Sequence, residues 1–260
     1  MLAQLASVPI SVILFVWMLR IKKDDPFPRG AVFKMLLTGA LCVLGATILT
    51  MLAGFAAAAI RVGPNTIAAL MANPTEEAAQ SFAARLQELN GEPTVRSVLK
   101  DAFIVAALVE ELLKYLAMRL CAWKPGVIRT RMDAIVCAAI VALAFQVPED
   151  FLYASGSVVT ALSRAVMPFH FLFGVIMGYY YGLSLVTGKR SDRAKALLYP
   201  ILVHGLFDFG VKSLTINDNF FILTILVLAL TLALTVYVIV KLRRWSREGT
   251  LSAPIAADVS

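Results

Sequence analysis

Seven long apolar runs, separated by charged loops, leave this chain few ways to fold. They cover residues 2–19, 35–60, 102–118, 134–154, 165–187, 196–211 and 220–240. A helix needs about 20 mostly apolar residues to cross a bilayer, and inside hydrocarbon its backbone polar groups must be satisfied within the helix. The pattern predicts an all-α, polytopic transmembrane helix bundle of about seven spanning helices. Hydrophobic residues make up 60% of the chain and charged residues 16%, against roughly 45–50% and 25% in soluble domains. A single transmembrane domain over residues 1–247 is expected, with a disordered cytoplasmic tail at 248–260. No basic stretch precedes the first run, so it does not read as a cleaved signal. Cys42, Cys121 and Cys137 lie in or at the ends of runs without metal-ligand spacing, and are expected to be buried small residues.

The net charge of +7 raises the question of nucleic acid, and its distribution answers it. Of the 24 Lys and Arg residues, 17 fall in the loops after the first, third and fifth runs and in the tail. Six fall in the opposite loops, and Lys114 lies inside a run. Basic residues are retained on the cytoplasmic side, which predicts an outside N-terminus and a cytoplasmic C-terminus. The charge is a topology signal with attraction to anionic lipid as a second effect, and no nucleic-acid partner is expected. The outer loop at 61–100 contains apolar positions Ala78, Ala79, Phe82, Ala83, Leu86 and Leu89 at helical spacing. They predict an amphipathic helix over 75–89, ended by Asn90-Gly91, serving as a connector, a lid or a docking element.

Few ionisable residues fall within the runs: Glu110, Glu111, Lys114, Glu149, Asp150, His170, His204 and Asp208. Each charge in hydrocarbon costs about 2.5–3.5 kcal/mol on insertion scales, so such groups face a bundle interior or a wet cavity. Glu110 and Lys114 are i, i+4, as are His204 and Asp208. That spacing makes Glu110 the partner of Lys114 and leaves Glu111, rotated by roughly 100°, as the freer carboxylate. His170, Gly174, Gly178 and Gly182 form one stripe, along which another backbone can approach closely. At 1.5 Å per residue, Glu110, Glu149, His170, His204 and Asp208 lie roughly 6–13 Å below the outer boundary, in one slab. Pro148, Pro168 and Pro200 stand one, two and four residues before Glu149, His170 and His204, where kinks are expected to open a cavity.

Carboxylates and histidines in a wet pocket can activate water, a glutamate taking the proton and returning it to a leaving amine. Two histidines and a glutamate also make a zinc set with one open position. Hydrolysis by activated water is therefore the expected reaction class. A non-catalytic membrane scaffold or a proton-coupled transporter would use the same groups; the transporter is disfavoured by the lack of duplicated halves, and the scaffold by the number of charges retained in lipid.

Four motifs in order carry a resemblance. They are Glu110-Glu111-Leu112-Leu113-Lys114, Phe145 with Glu149 and Tyr153, His170 with Gly174 and Gly178, and His204 with Asp208. Over residues 21–240 the sequence resembles the PrsW family of intramembrane proteases, a branch of the superfamily of type II CAAX prenyl proteases and bacteriocin-processing membrane proteins. The acidic, proline-containing stretch Asp24-Asp25-Pro26-Phe27-Pro28 is similar as well; Asp150 departs, where an asparagine is expected. The resemblance implies a protease of the bacterial cell membrane that cleaves a membrane-anchored protein, typically an anti-sigma factor, near the outer side. It implies that Glu110 or Glu111 is general base and acid, with Glu111 the choice on spacing. Glu149, His170 and His204 would position the water or bind a metal, with zinc as the candidate cofactor. Asp208 would orient His204, and Lys114, Phe145 and Tyr153 would support the site. The substrate's identity and the oligomeric state are not implied.

Overall fold

A computed structural model describes residues 8–122, 126–153 and 167–255. Among them the regular structure is helical: α1 Val8–Ile21, α2 Arg29–Val62, α3 Pro64–Ala72, α4 Glu76–Asn90, α5 Val95–Lys100, a π-helical segment Asp101–Ala107, α6 Leu108–Ala122, α7 Arg131–Tyr153, α8 Phe169–Thr187, α9 Arg190–Lys212 and α10 Phe221–Glu248. Short 3-10 turns at Ser213–Thr215 and Asp218–Phe220 join the last two.

The axis of the bundle is α7. Every residue from Ala134 to Phe145 is buried, as a helix apolar on all faces requires. It is ringed by α1, α2, α6 and α8. Two neighbours reach its backbone through glycine. A Cβ at Gly39 of α2 would sit 2.4 Å from the Val141 carbonyl oxygen. On α8, a Cβ at Gly178 would sit 2.5 Å from that of Ala134, and one at Gly174 would sit 2.8 Å from that of Ala138. The glycine stripe expected to admit another backbone does so, and α8 brings His170 against α7. On its far side α8 packs on α9, which packs on the π-helical segment and more loosely on α10.

The start of α7 is fixed by a reciprocal cap. The Asp133 amide donates to Thr130 Oγ1 at 3.1 Å, and the Thr130 amide donates to Asp133 Oδ2 at 2.9 Å. Buried Asp133 also takes Lys22 Nζ at 2.6 Å, tying the segment after α1 to α7.

Five helical stretches are long and apolar enough to cross a membrane: Arg29–Val62, Arg131–Leu152, Phe169–Thr187, Arg190–Thr215 and Asp218–Glu248. Large apolar side chains on their outer faces, such as Leu52, Leu202 and Leu226, are exposed to what would be lipid. Two expected runs differ. Helix α1 has 14 described residues, and the start of its run lies outside the described residues. The third run is part of a continuous helical stretch from Val95 to Ala122, interrupted by the π-helical turns.

Two local expectations are corrected, and one in the outer loop is met. Pro168 is the N-cap of α8 and does not kink it, whereas Pro148 and Pro200 do lie inside helices. The tail is packed as far as Ile255: its amide donates to the Arg129 carbonyl at 2.8 Å, the Met132 amide donates to that of Leu251 at 3.1 Å, and Leu251 is buried. An apolar leucine entering the core outweighs the polar composition around it. Residues 256–260, like the boundary between the fourth and fifth runs at 154–166, lie outside the described residues. In the loop at 61–100, α4 begins at the Thr75 N-cap, which accepts from the Ala78 amide at 3.2 Å, and ends at Gly91 with φ 62.

Candidate active site

Four helices deliver the ionisable side chains to one place. Helix α6 supplies Glu110, Glu111 and Lys114; α7 supplies Phe145 and Glu149; α8 supplies His170; α9 supplies His204 and Asp208. Burial is graded. Glu111 and Lys114 are 0% and 1% exposed, the two histidines are buried, and the side chains of Glu110 and Asp208 keep 15% and 17% exposure. The site has a closed floor and a partly open mouth.

Lys114 organises the floor. Its ammonium donates to Glu111 Oε1 at 2.8 Å, lies 2.8 Å from His170 Nδ1 and sits over the Phe145 ring at 3.9 Å. Glu110 Oε2 is 3.5 Å away. This reverses the pairing expected from spacing: the lysine is hydrogen-bonded at i, i−3 to Glu111, and Glu110 is the freer carboxylate. Both spacings share a helix face, so the choice falls to the surroundings. Glu111 also accepts from His204, whose Nδ1 lies 2.9 Å from the same Oε1.

These bonds assign the histidine protons. An ammonium can only donate, so His170 Nδ1 accepts; its Nε2 carries the hydrogen and donates to Glu149 Oε2. His204 donates from Nδ1 to Glu111, which leaves its Nε2 facing the mouth. That nitrogen is 3.9 Å from Glu110 Oε2 and 3.7 Å from Asp208 Oδ1. Glu110 Oε2 is buried without a hydrogen-bond partner among the described residues.

Several contributors were not legible in the sequence. Phe173 stacks on the His204 ring at 4.8 Å, locking its plane; its only signal is the place one turn after His170. Lys212, the last residue of α9, donates to Asp208 Oδ2 at 2.7 Å. Gln146, fully buried, donates to Asp150 Oδ2 at 3.1 Å. Tyr153 is the last residue of α7, one turn beyond Glu149.

The model of the PrsW family, described as intramembrane metalloproteases, matches residues 27–239. The chain belongs to the PrsW family. Its relatives include Protease PrsW of Geobacillus kaustophilus, 35% identical over 126 residues, which are 46% of this chain and 56% of that protein. The Oceanobacillus iheyensis protein is 31% identical over 150 residues, 55% of this chain and 70% of that one. The Bacillus subtilis protein is 33% identical over 121 residues, 44% and 55% of the two chains. The chain thus spans between half and seven-tenths of the length of these curated relatives. No solved structure matches. The apolar helices and the bacterial PrsW relatives make this a multi-pass bacterial membrane protein.

The family's description implies a metal. Glu110, His170 and His204 offer ligand atoms all within 4.8 Å of one another, with Glu110 in the place expected of Glu149. Glu110 Oε2 and His204 Nε2 suit a cation, being free of hydrogen bonds among the described residues, with His204 held from behind by Glu111. His170 does not: one ring nitrogen accepts from Lys114 and the other donates to Glu149, so no lone pair remains. The ammonium near Glu110 further opposes a second cation. As hydrogen-bonded here, the three residues do not fit a metal ion.

Proposed function

We propose that this protein is an intramembrane endopeptidase that hydrolyses a peptide bond of a membrane-anchored protein with glutamate- and histidine-activated water. The observation that carries the reading is the gap between Glu110 Oε2 and His204 Nε2. At 3.9 Å, with no hydrogen bond made by either atom among the described residues, it has the span of one bridging water. Glu110 is the base, in place of the Glu111 expected from spacing. It takes a proton as the water oxygen attacks the scissile carbonyl carbon, and returns it to the amine as the C–N bond breaks. His204 orients the water through Nε2, held in its tautomer by Glu111 and in its plane by Phe173. Lys114 keeps Glu111 ionised and, through His170, fixes the proton that Glu149 accepts. Asp208 restrains the mouth beside His204.

The bundle is proposed to comprise seven spans in one protease domain over residues 1–247, N-terminus outside. The third span is taken to be the stretch from Val95 to Ala122, and the site is proposed to lie within the membrane toward its outer side. By resemblance the substrate is of the anti-sigma-factor kind. The test is cleavage of candidate single-span proteins by the detergent-purified enzyme. Glu110→Gln is expected to lower cleavage about a hundredfold or more and His204→Ala to abolish it, and wild-type activity is expected to survive chelators in a sample with bound zinc well below one equivalent. Wild-type rates in Glu110→Gln, or activity lost to a chelator and restored by zinc, would overturn the mechanism.

A further inference from the structure

We propose that the C-terminal end of α10 is a binding site for the phosphate of an anionic phospholipid. Arg243, Arg244 and Arg247 line, with Val240 and Glu248, an open pocket of about 600 Å³. Arg243 and Arg247 are i, i+4 and share a face. Arg244 is engaged by Glu248 at 2.7 Å, and Thr250 donates to the other oxygen of that carboxylate at 3.2 Å. Three guanidiniums face one carboxylate, and Arg247 has no carboxylate partner among the described residues. The excess positive charge outweighs the unfavourable end of the helix dipole for an anion.

The level of the pocket identifies the ligand. Going along α10, exposed Val236, Tyr237 and Val240 give way to the arginines, so the pocket begins where the apolar surface stops. Aromatic rings that mark a membrane interface gather at the same height. The Arg243 guanidinium lies 5.8 Å over Trp17 of α1, and Trp245 stacks on Tyr179 of α8 at 5.6 Å. Arg243 is thereby held in place before any anion arrives. A phosphate here has guanidiniums above and an apolar wall, ending in Val240, for its acyl chains. A diacyl phosphate ester fits both; a free phosphate uses only the first.

The experiment uses full-length protein in a neutral detergent, without reference to proteolysis. Wild type, Arg247→Gln and Arg243→Gln/Arg247→Gln are each melted with added phosphatidylglycerol, phosphatidylcholine of the same chains, or inorganic phosphate, and lipid retention is read by native mass spectrometry. Phosphatidylglycerol is expected to raise the melting temperature of wild type by several degrees and remain bound. The shift and the retained lipid should fall by more than half in the double variant and in part in Arg247→Gln. Phosphatidylcholine and inorganic phosphate should do neither. If the double variant fails to fold, Arg247→Gln alone carries the test, because that side chain is exposed. An equal shift in the variants, an equal effect of phosphatidylcholine, or a full effect of inorganic phosphate would each overturn the proposal.

Discussion

At the scale of single residues, two adjacent glutamates meet different surroundings, and the tasks proposed for them differ accordingly. Glu111 is fully buried and serves Lys114 and His204 at once. Removing one partner of a buried ion pair costs about 3–5 kcal/mol, because the other charge is left behind. Glu111→Gln is therefore expected to lower the melting temperature in detergent strongly and to lose activity with it. Lys114→Met should do the same, while the double variant should lose less than the sum, since the two charges leave together. Glu110 is nearer the mouth and its Oε2 lacks a bond to lose. Glu110→Gln is expected to keep the wild-type melting temperature while cleavage falls by about a hundredfold or more, the usual contribution of general base catalysis. A melting shift in Glu110→Gln as large as that in Glu111→Gln would make the two equivalent and remove the distinction. The sequence made both glutamates conspicuous, because charge within an apolar run is rare. It could not rank them, because i, i+3 and i, i+4 partners lie on the same face, and the contact that decides between them comes from His204, 93 residues further on.

At the scale of the elements, the site is held together by close helix contacts that leave no room for a methyl group. Gly178→Ala would place a Cβ 2.5 Å from the Ala134 carbonyl oxygen and from Ile135 Cα, both backbone atoms that cannot give way. Overpacking of this kind costs about 1–3 kcal/mol. It would part α8 from α7, and His170 from Glu149, so lower stability and lower activity are expected together. Gly54→Ala, with nothing within 4 Å, should change neither. Gly205 is more informative. Its Cβ would meet the Phe103 ring at 2.4 Å, a side chain on the π-helical segment two turns before Glu110. Gly205→Ala should therefore reduce activity, and a smaller side chain at 103, Phe103→Leu, should restore part of it. No rescue would mean that the contact between the two segments is not what sets their spacing. The glycine stripe of α8 could be read from its four-residue period. The π-helical turns could not: residues 101–107 have an ordinary apolar composition, and nothing in their spacing marks π-helical geometry. The role of Pro168 was misread for a similar reason, since a proline starts a helix as readily as it bends one.

At the scale of the molecule, the bundle was legible from the length and spacing of the apolar runs, and its central helix was not. A run buried on every side and a run facing lipid have the same composition, and only packing shows that α7 is the axis. The direction of the bundle rests on loop charge, and is open to a direct test. Single cysteines can be placed at Ala72 and at Thr250, in a background in which Cys42, Cys121 and Cys137 are replaced; all three are buried, so none should react in the native protein. With the N-terminus outside and seven spans, Ala72→Cys in intact cells should be labelled by a membrane-impermeant maleimide, and Thr250→Cys only after the cells are opened. The number of spans enters because α2, which leads to Ala72, and α10, which leads to Thr250, are among the five clear spans, whereas the stretch from Val95 to Ala122 and α1 are not. If the stretch from Val95 to Ala122 did not cross, α7 would begin on the same side as α2 ends. Ala72 and Arg131 would then share a side, and a third cysteine at Arg131 would be labelled with Ala72 in intact cells. Labelling of Arg131→Cys only in opened cells is the expected result. It would fix Glu110 within the membrane, because the helix that carries it would have to cross between the two reporters.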